Sequence, residues 1–308
     1  MVNLVTGGAG FIGSHLIEKL LLKGEQVICI DNVLTGSEEN LNKWNSHPSF
    51  KFIKHDIISP IDIKANKIWH LACPASPFFF NKYPITISKT NYLGTLNMLE
   101  IASKYKSRFL MASSSSIYGE SKSYPQVEEY YGEVNSYGSR SCYEEGKRVA
   151  ESLCFDYQRI YKTDIRIARI FNTYGPRMKP DDGRVISNFI YQAIQNEALT
   201  IYGNGCQTRS FCYIDDLIEG LLILMESNYN KPLNLGNDQE LRILDLANLI
   251  KSKINPDLKL KFLPLPLDDP LRRKPSIKKA LIEINWKPNI KLEEGITRTI
   301  RYFQKILN

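Results

Sequence analysis

Residues 6–16 read TGGAGFIGSHL and connect a strand-like segment, VNLV, to a helical pattern of apolar residues. Gly7, Gly10 and Gly13 stand three residues apart in this stretch. The first glycine allows a tight turn, the second lets the backbone approach a pyrophosphate, and the third lets the helix pack closely on the strand. The helix N-terminus adds free N–H groups and a positive dipole. The cofactor-binding residues predicted in this turn are Gly7, Gly10, Phe11, Ile12 and Gly13.

The next predicted strand ends in ICID, so that Asp31 stands 18 residues after Gly13. An aspartate at this place can accept hydrogen bonds from the ribose hydroxyls of adenosine, and Asn32 follows it directly. A 2′-phosphate needs a cation instead, and the next basic residue is Lys43. The pattern therefore favours NAD over NADP. The alternative is a plain glycine turn followed by an aspartate that caps a strand.

The first half of the chain alternates short apolar runs with helical patterns. QVICI, FKFI, KIWHLA, RFLMAS and IRIARI are strand candidates, and helices are predicted at 84–105 and 141–161. Alternation of this kind is typical of a parallel sheet covered by helices on both faces. We therefore predict an α/β fold, a Rossmann-type doubly wound parallel sheet with a smaller C-terminal α/β lobe for the substrate.

The composition changes after residue 175, where Pro, Gly and Asn increase and the strands become shorter. We predict an NAD-binding domain at 1–175 and a lobe at 176–308 that mainly binds the substrate. Helix 215–226 and the strand that follows it are expected to return to the first sheet, so 215–240 is assigned to the first domain. Amphipathic helices are predicted at 243–253 and 292–305.

The composition excludes several classes of protein. The 308 residues contain no apolar run of the roughly 18 residues that cross a bilayer, and no signal peptide is visible, so we expect a cytoplasmic protein. Six cysteines without a CxxC pair and four scattered histidines predict neither a disulfide framework nor a metal site. The net charge of +7 contains no long basic block, so nucleic acid is not expected as a partner. The positive charge either belongs to solvated lysines or attracts an anionic small ligand.

Tyr143 and Lys147 lie four residues apart in the helical segment SRSCYEEGKRVAES and so share one face of the helix. A lysine ammonium stabilises a neighbouring phenolate. A phenolate can take the proton of a sugar hydroxyl while hydride leaves to NAD, so Tyr143 and Lys147 are predicted to bind the cofactor as well as to catalyse. The alternative is a chance pair on an ordinary helix, but the nucleotide-binding turn upstream favours the catalytic interpretation.

Four consecutive serines in ASSSSIYG, residues 112–119, follow the predicted strand RFLMA. In such a sheet the carboxyl end of a central strand opens on the cofactor crevice. A hydroxyl there can bond the substrate oxygen that Tyr143 deprotonates, and the spacing indicates Ser114. The alternative is a solvated serine loop.

Together these motifs resemble the extended short-chain dehydrogenase/reductases that act on nucleotide sugars. Longer stretches are similar to the family of UDP-glucuronate decarboxylases, and the similarity runs from residue 1 to about residue 303. Those stretches are DNVLTGSEENL, HLACPASP, TNYLGTLNMLE, SCYEEGKRVAE, RIARIFNTYGPRM, DGRVISNFIYQA, LTIYGNGCQTRSF, PLNLGN and DDPLRRKPSIKKA.

The resemblance implies a reaction sequence. Tyr143 removes the proton of the C4 hydroxyl while hydride passes to NAD. The resulting 4-keto sugar is a β-keto acid with respect to the C6 carboxylate, and it loses carbon dioxide because the electrons move into an enolate. C5 is then protonated and hydride returns to C4, which gives UDP-xylose with no net redox change.

The resemblance also implies roles for further residues. Arg273 resembles an arginine near the substrate carboxylate or phosphates. Asp56 resembles the residue that holds the adenine amino group, next to Ile57, and Leu71 and Ala72 line the cofactor. The residues that match positions expected to hold the UDP-sugar are Asn172, Arg177, Tyr202, Arg209 and, less closely, Lys89. Members of this fold commonly pair through two helices from each subunit, which implies a homodimer through helices 84–105 and 141–161.

The chain departs from the decarboxylase pattern at one catalytic position. That pattern is serine-threonine-serine-glutamate, whereas this chain has Ser113, Ser114, Ser115 and Ser116. Ser114 supplies a hydroxyl as the threonine does, but Ser116 cannot replace the glutamate, whose carboxylate can steer substrate or carry a proton to C5. The stretch SSSSIYG resembles UDP-sugar 4-epimerases instead.

Decarboxylation remains the main interpretation, because the similarity covers the whole chain and a β-keto acid needs little assistance to lose carbon dioxide. The alternative is 4-epimerisation of UDP-glucuronate or a related UDP-sugar. A 4,6-dehydratase is less favoured, since it needs acidic residues at Ser115 and Ser116. A catalytically inactive protein that binds NAD and a UDP-sugar is the last alternative, and intact Tyr143 and Lys147 oppose it.

Overall fold

The computed structural model describes residues 1–180, 182–265 and 272–307. Its strands are β1 (Val2–Thr6), β2 (Gln26–Asp31), β3 (Phe50–Lys54), β4 (Lys67–His70), β5 (Arg108–Ser114), β6 (Ile165–Ile170), β7 (Thr173–Tyr174), β8 (Leu199–Tyr202), β9 (Thr208–Ser210), β10 (Cys212–Tyr213), β11 (Pro232–Leu235), β12 (Glu240–Arg242), β13 (Leu260–Leu263) and β14 (Arg272–Arg273).

Its α-helices are α1 (Phe11–Leu22), α2 (Pro77–Lys82), α3 (Pro84–Lys89), α4 (Thr95–Tyr105), α5 (Ser141–Tyr161), α6 (Val185–Ile194), α7 (Ile214–Glu226), α8 (Ile243–Ile254), α9 (Lys278–Ile284) and α10 (Leu292–Leu307). Short 3₁₀ helices cover Glu38–Trp44 and Ser115–Tyr118, and a π-helical turn at Thr90–Gly94 joins α3 to α4. The single helix predicted at 84–105 is thus three helical pieces, which begin with a proline in the first turn of α3.

Seven parallel strands form the central sheet in the order β11-β6-β5-β4-β1-β2-β3. The inner strands β1, β4, β5 and β6 are buried almost throughout. Strands covered on both faces favour continuous apolar runs, as at Phe109, Leu110 and Met111 of β5. The predicted α/β doubly wound sheet is confirmed.

Helices cover both faces of this sheet. On one face α4 and α5 bury Met98, Leu99 and Cys154 against strand residues such as Phe109. On the other face α1 and α7 pack on the strands, and α7 contacts β5, β6 and β11. The strand β11 joins the sheet beside β6, so the chain returns to the first sheet after the excursion that begins near residue 175.

The glycine turn between β1 and α1 permits no side chains where the helix meets the strand. A Cβ on Gly13 would lie 2.2 Å from the carbonyl oxygen of Gly7, and Gly7 itself has a φ of +72°. Both positions therefore require glycine. This close approach places the N-terminus of α1 at the carboxyl edge of the sheet.

The remaining strands form small sheets at the same edge. β8 pairs with β13, β7 pairs with β10, and β9 lies between β12 and β14. Their helices α6 and α8 share one hydrophobic cluster with α1, so the two parts of the chain have a continuous core. The first four residues of DDPLRRKPSIKKA, 268–271, lie outside the described residues. Among the described helices, none combines the length and the apolar character needed to cross a membrane.

Candidate active site

A cavity of about 180 Å³ lies over the glycine turn, at the carboxyl edge of the sheet. Eleven of the thirteen predicted cofactor residues line it, and the other two, Tyr143 and Lys147, line a second cavity next to it. The eleven are Gly7, Gly10, Phe11, Ile12, Gly13, Asp31, Asn32, Asp56, Ile57, Leu71 and Ala72. The sequence thus predicted a set of residues that the fold brings together.

Asp31 is the carboxylate of this first cavity. Its Oδ2 accepts a hydrogen bond from the Ala9 backbone N–H at 3.0 Å, and its Oδ1 accepts one from the Val33 N–H at 2.8 Å. Burial raises the pKa of Asp31, and these two N–H groups oppose the rise. Each carboxylate oxygen can accept a further bond, so Asp31 retains capacity for ribose hydroxyls.

Asn32 and Asp56 close the same end of the cavity, since Asn32 Nδ2 donates to Asp56 Oδ2 at 2.9 Å. The bare backbone at Gly7 and Gly10 lines the same cavity, beside the N-terminus of α1. A dinucleotide needs these two features, an unobstructed backbone for its pyrophosphate and a carboxylate for its ribose. The residues present therefore fit the predicted NAD.

The second cavity, of about 440 Å³, continues from the first. Ile12, Leu71 and Cys73 line both, so a group bound in one can reach a group bound in the other. Seven predicted catalytic and substrate-binding residues besides Lys147 line the second cavity. They are Ser114, Ser116, Tyr143, Asn172, Tyr202, Arg209 and Arg273.

Tyr143 and Lys147 are both buried on the first turns of α5. Lys147 Nζ donates to the Ala112 carbonyl oxygen at 2.9 Å and lies 5.8 Å from the centre of the Tyr143 ring. The ring of Tyr143 stacks on Phe80 at a centroid distance of 4.9 Å. Lys147 is thus fixed between the end of β5 and the tyrosine, and Tyr143 is held in one orientation.

The four serines have different partners. The Ser113 hydroxyl donates to Glu151 of α5, so Ser113 holds strand and helix together. Ser114 Oγ accepts the Ser116 backbone N–H at 3.1 Å and caps the 3₁₀ helix Ser115–Tyr118, while Ser116 Oγ accepts a long hydrogen bond of 3.5 Å from Arg273 Nη1. In both cases the serine oxygen is an acceptor, so the O–H proton can be donated to a ligand.

Five cationic side chains line the second cavity, two of which, Arg140 and Arg184, pair with Glu144 and Asp182 outside its lining. Arg209 and Arg273 are register partners on the adjacent strands β9 and β14, and both line the cavity. Three further cations line it, Arg140, Lys147 and Arg184. Among the described residues that line it there is no Asp or Glu. Such a surface favours a ligand with several negative charges.

Two predicted substrate residues lie elsewhere. Arg177 lines the first cavity and forms an ion pair with Glu18 of α1, so it is on the cofactor side. Lys89 is exposed at the end of α3 and lines neither cavity. Both positions came from similarity to a pattern in the sequence, which does not indicate the direction of a side chain.

Several residues that line the second cavity could not be predicted from the sequence. Arg184 and Asn188 lie on either side of the start of α6, Gln207 precedes β9, and Arg140 precedes α5. Arg184, Asn188 and Gln207 occur within stretches quoted above for the resemblance, which was the available signal. A single polar residue at the end of a helix or strand forms no recognisable sequence pattern.

Comparison with known proteins agrees with this geometry. Residues 3–236 match the model of the NAD dependent epimerase/dehydratase family. UDP-glucuronic acid decarboxylase 6 of Arabidopsis thaliana is 53% identical over 294 residues, which are 95% of this chain and 86% of that protein. UDP-glucuronic acid decarboxylase 1 of Danio rerio is 50% identical over 99% of this chain and 73% of its own length.

Solved structures give the same fold with lower identity. A UDP-glucuronic acid 4-epimerase from Bacillus cereus, in complex with UDP-glucuronic acid and NAD, superimposes with a TM-score of 0.91 at 30% identity and covers 99% of this chain and 100% of its own. A UDP-glucose 4-epimerase from Thermotoga maritima has a TM-score of 0.91 at 30% identity, with 100% of both chains covered.

Proposed function

Because this chain belongs to the NAD dependent epimerase/dehydratase family, we propose that it removes the C6 carboxylate of UDP-glucuronate as carbon dioxide and produces UDP-xylose. The relatives that are about half identical over nearly the whole chain are UDP-glucuronic acid decarboxylases. The structural observation that carries the proposal is the second cavity, which five cations and no described carboxylate line. A UDP-uronate has anionic charge on its diphosphate and on its sugar, so it matches this surface at both ends.

The prediction of NAD is confirmed by the family and agrees with the first cavity. When bound, NAD supplies the site with an acceptor for hydride from C4 of the sugar and returns that hydride at the end of the cycle. The chain itself holds the cofactor next to the sugar, since the two cavities share the residues Ile12, Leu71 and Cys73.

Tyr143 is the general base for the C4 hydroxyl. Its position beside Lys147 places a positive charge where the phenolate forms, and the Lys147 bond to the end of β5 keeps that charge there. The Ser114 hydroxyl donates a hydrogen bond to the C4 oxygen, because its own oxygen already accepts the Ser116 N–H. Proton removal from oxygen and loss of hydride from carbon give the 4-ketone.

The ketone makes the C5–C6 bond weak. When carbon dioxide leaves, the electron pair of that bond moves into the enolate of the 4-ketone, and C5 then takes a proton. Arg273, next to Ser116, orients the carboxylate before it leaves. Because the described lining contains no carboxylic acid, we infer that water or a serine hydroxyl delivers the proton to C5.

The same lining supports a second candidate, 4-epimerisation of UDP-glucuronate. In that reaction the 4-ketone keeps its carboxylate, turns over in the cavity and receives hydride on the other face. Ser116 instead of an acid at the C5 side is the observation that favours it, and the B. cereus 4-epimerase has the same fold. Its 30% identity is well below that of the decarboxylases, so decarboxylation is preferred.

An NMR time course with purified protein, UDP-glucuronate and NAD tests the proposal. Formation of a UDP-pentose with release of the C6 carbon supports decarboxylation. Formation of UDP-galacturonate with all six carbons retained supports the epimerase and rejects decarboxylation. If the Tyr143→Phe variant matches the wild type, Tyr143 is not the base, and if neither protein changes the sugar, the chain only binds it.

The residue assignments are also proposals. Asn172, Tyr202, Arg209 and Arg273 bind the UDP-sugar, which their place in the second cavity supports. Arg177 belongs with the cofactor residues, since it lines the first cavity. We keep the division into 1–175 with 215–240 for NAD and 176–308 mainly for the UDP-sugar.

A homodimer is proposed through α5 and the helical pieces of 84–105. Tyr92 and Leu93 of the π turn and Val149 and Phe155 of α5 are large apolar side chains that are exposed in the single chain. Contiguous exposed apolar residues on packed helices are typical of an interface between subunits. A cytoplasmic location likewise stays a prediction, which fractionation of cells that express the tagged chain would test.

A further inference from the structure

Two side chains from distant parts of the chain meet in the substrate cavity. Arg273 belongs to β14, and Ser116 belongs to the 3₁₀ helix Ser115–Tyr118, called here the serine turn. The two lie 3.5 Å apart although 157 residues separate them. The distance between them depends on how the segment 272–276, called here the arginine segment, is attached to the first domain.

Asn234 connects these two segments with one side chain. It is fully buried on β11, the edge strand of the central sheet. Its Oδ1 accepts a hydrogen bond from Tyr118 Oη of the serine turn at 2.8 Å. Its Nδ2 donates to the Ser276 carbonyl of the arginine segment at 3.3 Å and to the Gln126 carbonyl at 3.1 Å. One amide thus bonds both segments.

Gln126 reinforces the attachment on the arginine side. Its backbone N–H donates to the Lys274 carbonyl at 2.9 Å, and its carbonyl accepts the Ser276 N–H at 2.8 Å. Its side-chain Oε1 accepts the Lys274 N–H at 2.8 Å. Gln126 therefore bonds both the N–H and the carbonyl of Lys274, the residue after Arg273. Asn234 in turn bonds the carbonyl of Gln126.

The Tyr118 end is anchored to the catalytic helix. Arg169 donates to Tyr118 Oη at 3.0 Å and forms two parallel hydrogen bonds with Glu151 at 2.8 and 3.0 Å. Glu151 lies one turn after Lys147 on α5. Asn234 thus connects the arginine segment, through Tyr118, to α5, the helix that carries Tyr143 and Lys147.

We propose that Asn234 is a positioning residue, which acts through Arg273 to set the binding of the UDP-sugar. The inference rests on the proposed function, because that function assigns UDP-sugar binding to Arg273. Only an amide provides here an acceptor for Tyr118 and donors for two carbonyl oxygens. An aspartate would present oxygens to those carbonyls, and an alanine would leave all three buried partners without this bond.

The variants Asn234→Ala and Asn234→Asp test the attachment in the unliganded protein. Hydrogen exchange at the amides of Lys274 and Ser276 is expected to become about tenfold faster or more, because these bonds depend on the network. The matched control is Asn3→Ala. Asn3 is equally buried in β1 of the same sheet and is bonded through both its oxygen and its nitrogen, but it lines neither cavity. Unchanged exchange at both amides would overturn the proposal.

A double-mutant cycle with Arg273→Ala tests the route of action. Asn234→Ala is expected to raise KM for UDP-glucuronate about tenfold in the wild-type background and less than about twofold in the Arg273→Ala background, with NAD affinity unchanged. Equal effects in both backgrounds would show a general structural role and overturn the proposal. If Asn234→Ala does not fold, Tyr118→Phe, which removes the bond between Tyr118 and Asn234 Oδ1, takes its place.

The readouts separate this inference from the proposed function. If the wild type does not convert UDP-glucuronate, the proposed reaction fails, and the cycle is then measured with the Kd of UDP-glucuronate by calorimetry. The exchange rates at Lys274 and Ser276 do not depend on any substrate. They support or overturn the role of Asn234 in either case.

Discussion

Arg273 Nη1 donates a 3.5 Å hydrogen bond to Ser116 Oγ, across the substrate cavity and between two parts of the chain 157 residues apart. A serine hydroxyl carries no charge, so Ser116 itself does not neutralise the guanidinium of Arg273. A glutamate in the same place would form an ion pair with the arginine, and its carboxylate could relay a proton from water. Residue 116 therefore affects both the charge and the proton supply at one end of the site.

Ser116→Glu is expected to raise kcat for formation of UDP-xylose about tenfold or more, since a carboxylate positioned there can relay a proton from water to C5. The same variant is expected to raise KM for UDP-glucuronate, because the new carboxylate pairs with Arg273. Initial rates from NMR measure both constants. Ser116→Gln is the control of equal length without an acid, and equal rates for the two variants would contradict the role given to the carboxyl group.

Tyr143→Phe is expected to lower kcat by about 10³-fold or more, because it removes the base and leaves the stacking on Phe80 intact. Calorimetry is expected to give Kd values for NAD and UDP-glucuronate within about threefold of the wild type. This variant distinguishes an enzyme from a protein that only binds the sugar. Turnover that survives the change would assign the proton transfer to another group.

Asp31→Asn is expected to weaken NAD binding about 10- to 100-fold, since a charged acceptor of the ribose hydroxyls is lost. The pH dependence follows from the burial that raises the pKa of Asp31. As the pH falls through that raised pKa, the carboxyl takes a proton, and NAD binding weakens at a higher pH than an exposed aspartate would require. Fluorescence titration from pH 8 to pH 4 measures the effect, and the variant is expected to show a flatter profile.

The protonation of His15, beside the cofactor cavity, affects the stability of the folded protein in acid. Its Nε2 lies 2.9 Å from the Pro176 carbonyl, and burial, with the nearby charge of Arg177, lowers the pKa of His15 to about 4. Below pH 6.5 the unfolded chain takes up a proton that the folded protein refuses, so the unfolded state binds more protons and stability falls as the pH falls from about 6.5 to about 4. The loss from this group reaches about 3 kcal/mol at the lower limit.

His15→Gln tests this linkage, because glutamine can still donate to the Pro176 carbonyl but does not titrate. Urea unfolding at pH 7.5, 6 and 5 is expected to show a smaller loss of stability for the variant than for the wild type. Part of the loss remains in both proteins, since burial also lowers the pKa of His70, to about 3. If the free energy of unfolding falls equally with pH in both proteins, His15 does not contribute to the loss of stability in acid.

The sequence predicted the parts of the fold that local pattern determines. The glycine turn, the buried strands, and the pair Tyr143 and Lys147 follow from spacing within about a dozen residues, and the structure has them where the pattern placed them. The side of the site on which Arg177 lies depends on its ion pair with Glu18, a partner 159 residues away. Such pairings leave no periodic signal.

The serines illustrate the same limit. The pattern identified Ser114 as a hydroxyl at the end of β5, but the four residues look alike in the sequence. Only the structure separates Ser113, which bonds Glu151, from Ser114 and Ser116, whose oxygens accept hydrogen bonds and whose O–H groups can donate to a ligand in the cavity. The role of Asn234 could not be predicted for a related reason, since its partners come from three segments that meet only in the folded chain.

The apolar surface of α5 and the π turn leads to the last prediction. Exposed Leu93 and Val149 are expected to be covered by a second copy of the chain, since large apolar side chains on two packed helices gain free energy when they leave water. Light scattering after size exclusion is expected to give twice the mass of one chain.

Leu93→Glu combined with Val149→Glu places charges in the interface and is expected to give the mass of one chain. Tyr137→Glu, at an exposed residue outside these helices, is the control that keeps the wild-type mass. A wild type with the mass of one chain would reject the homodimer.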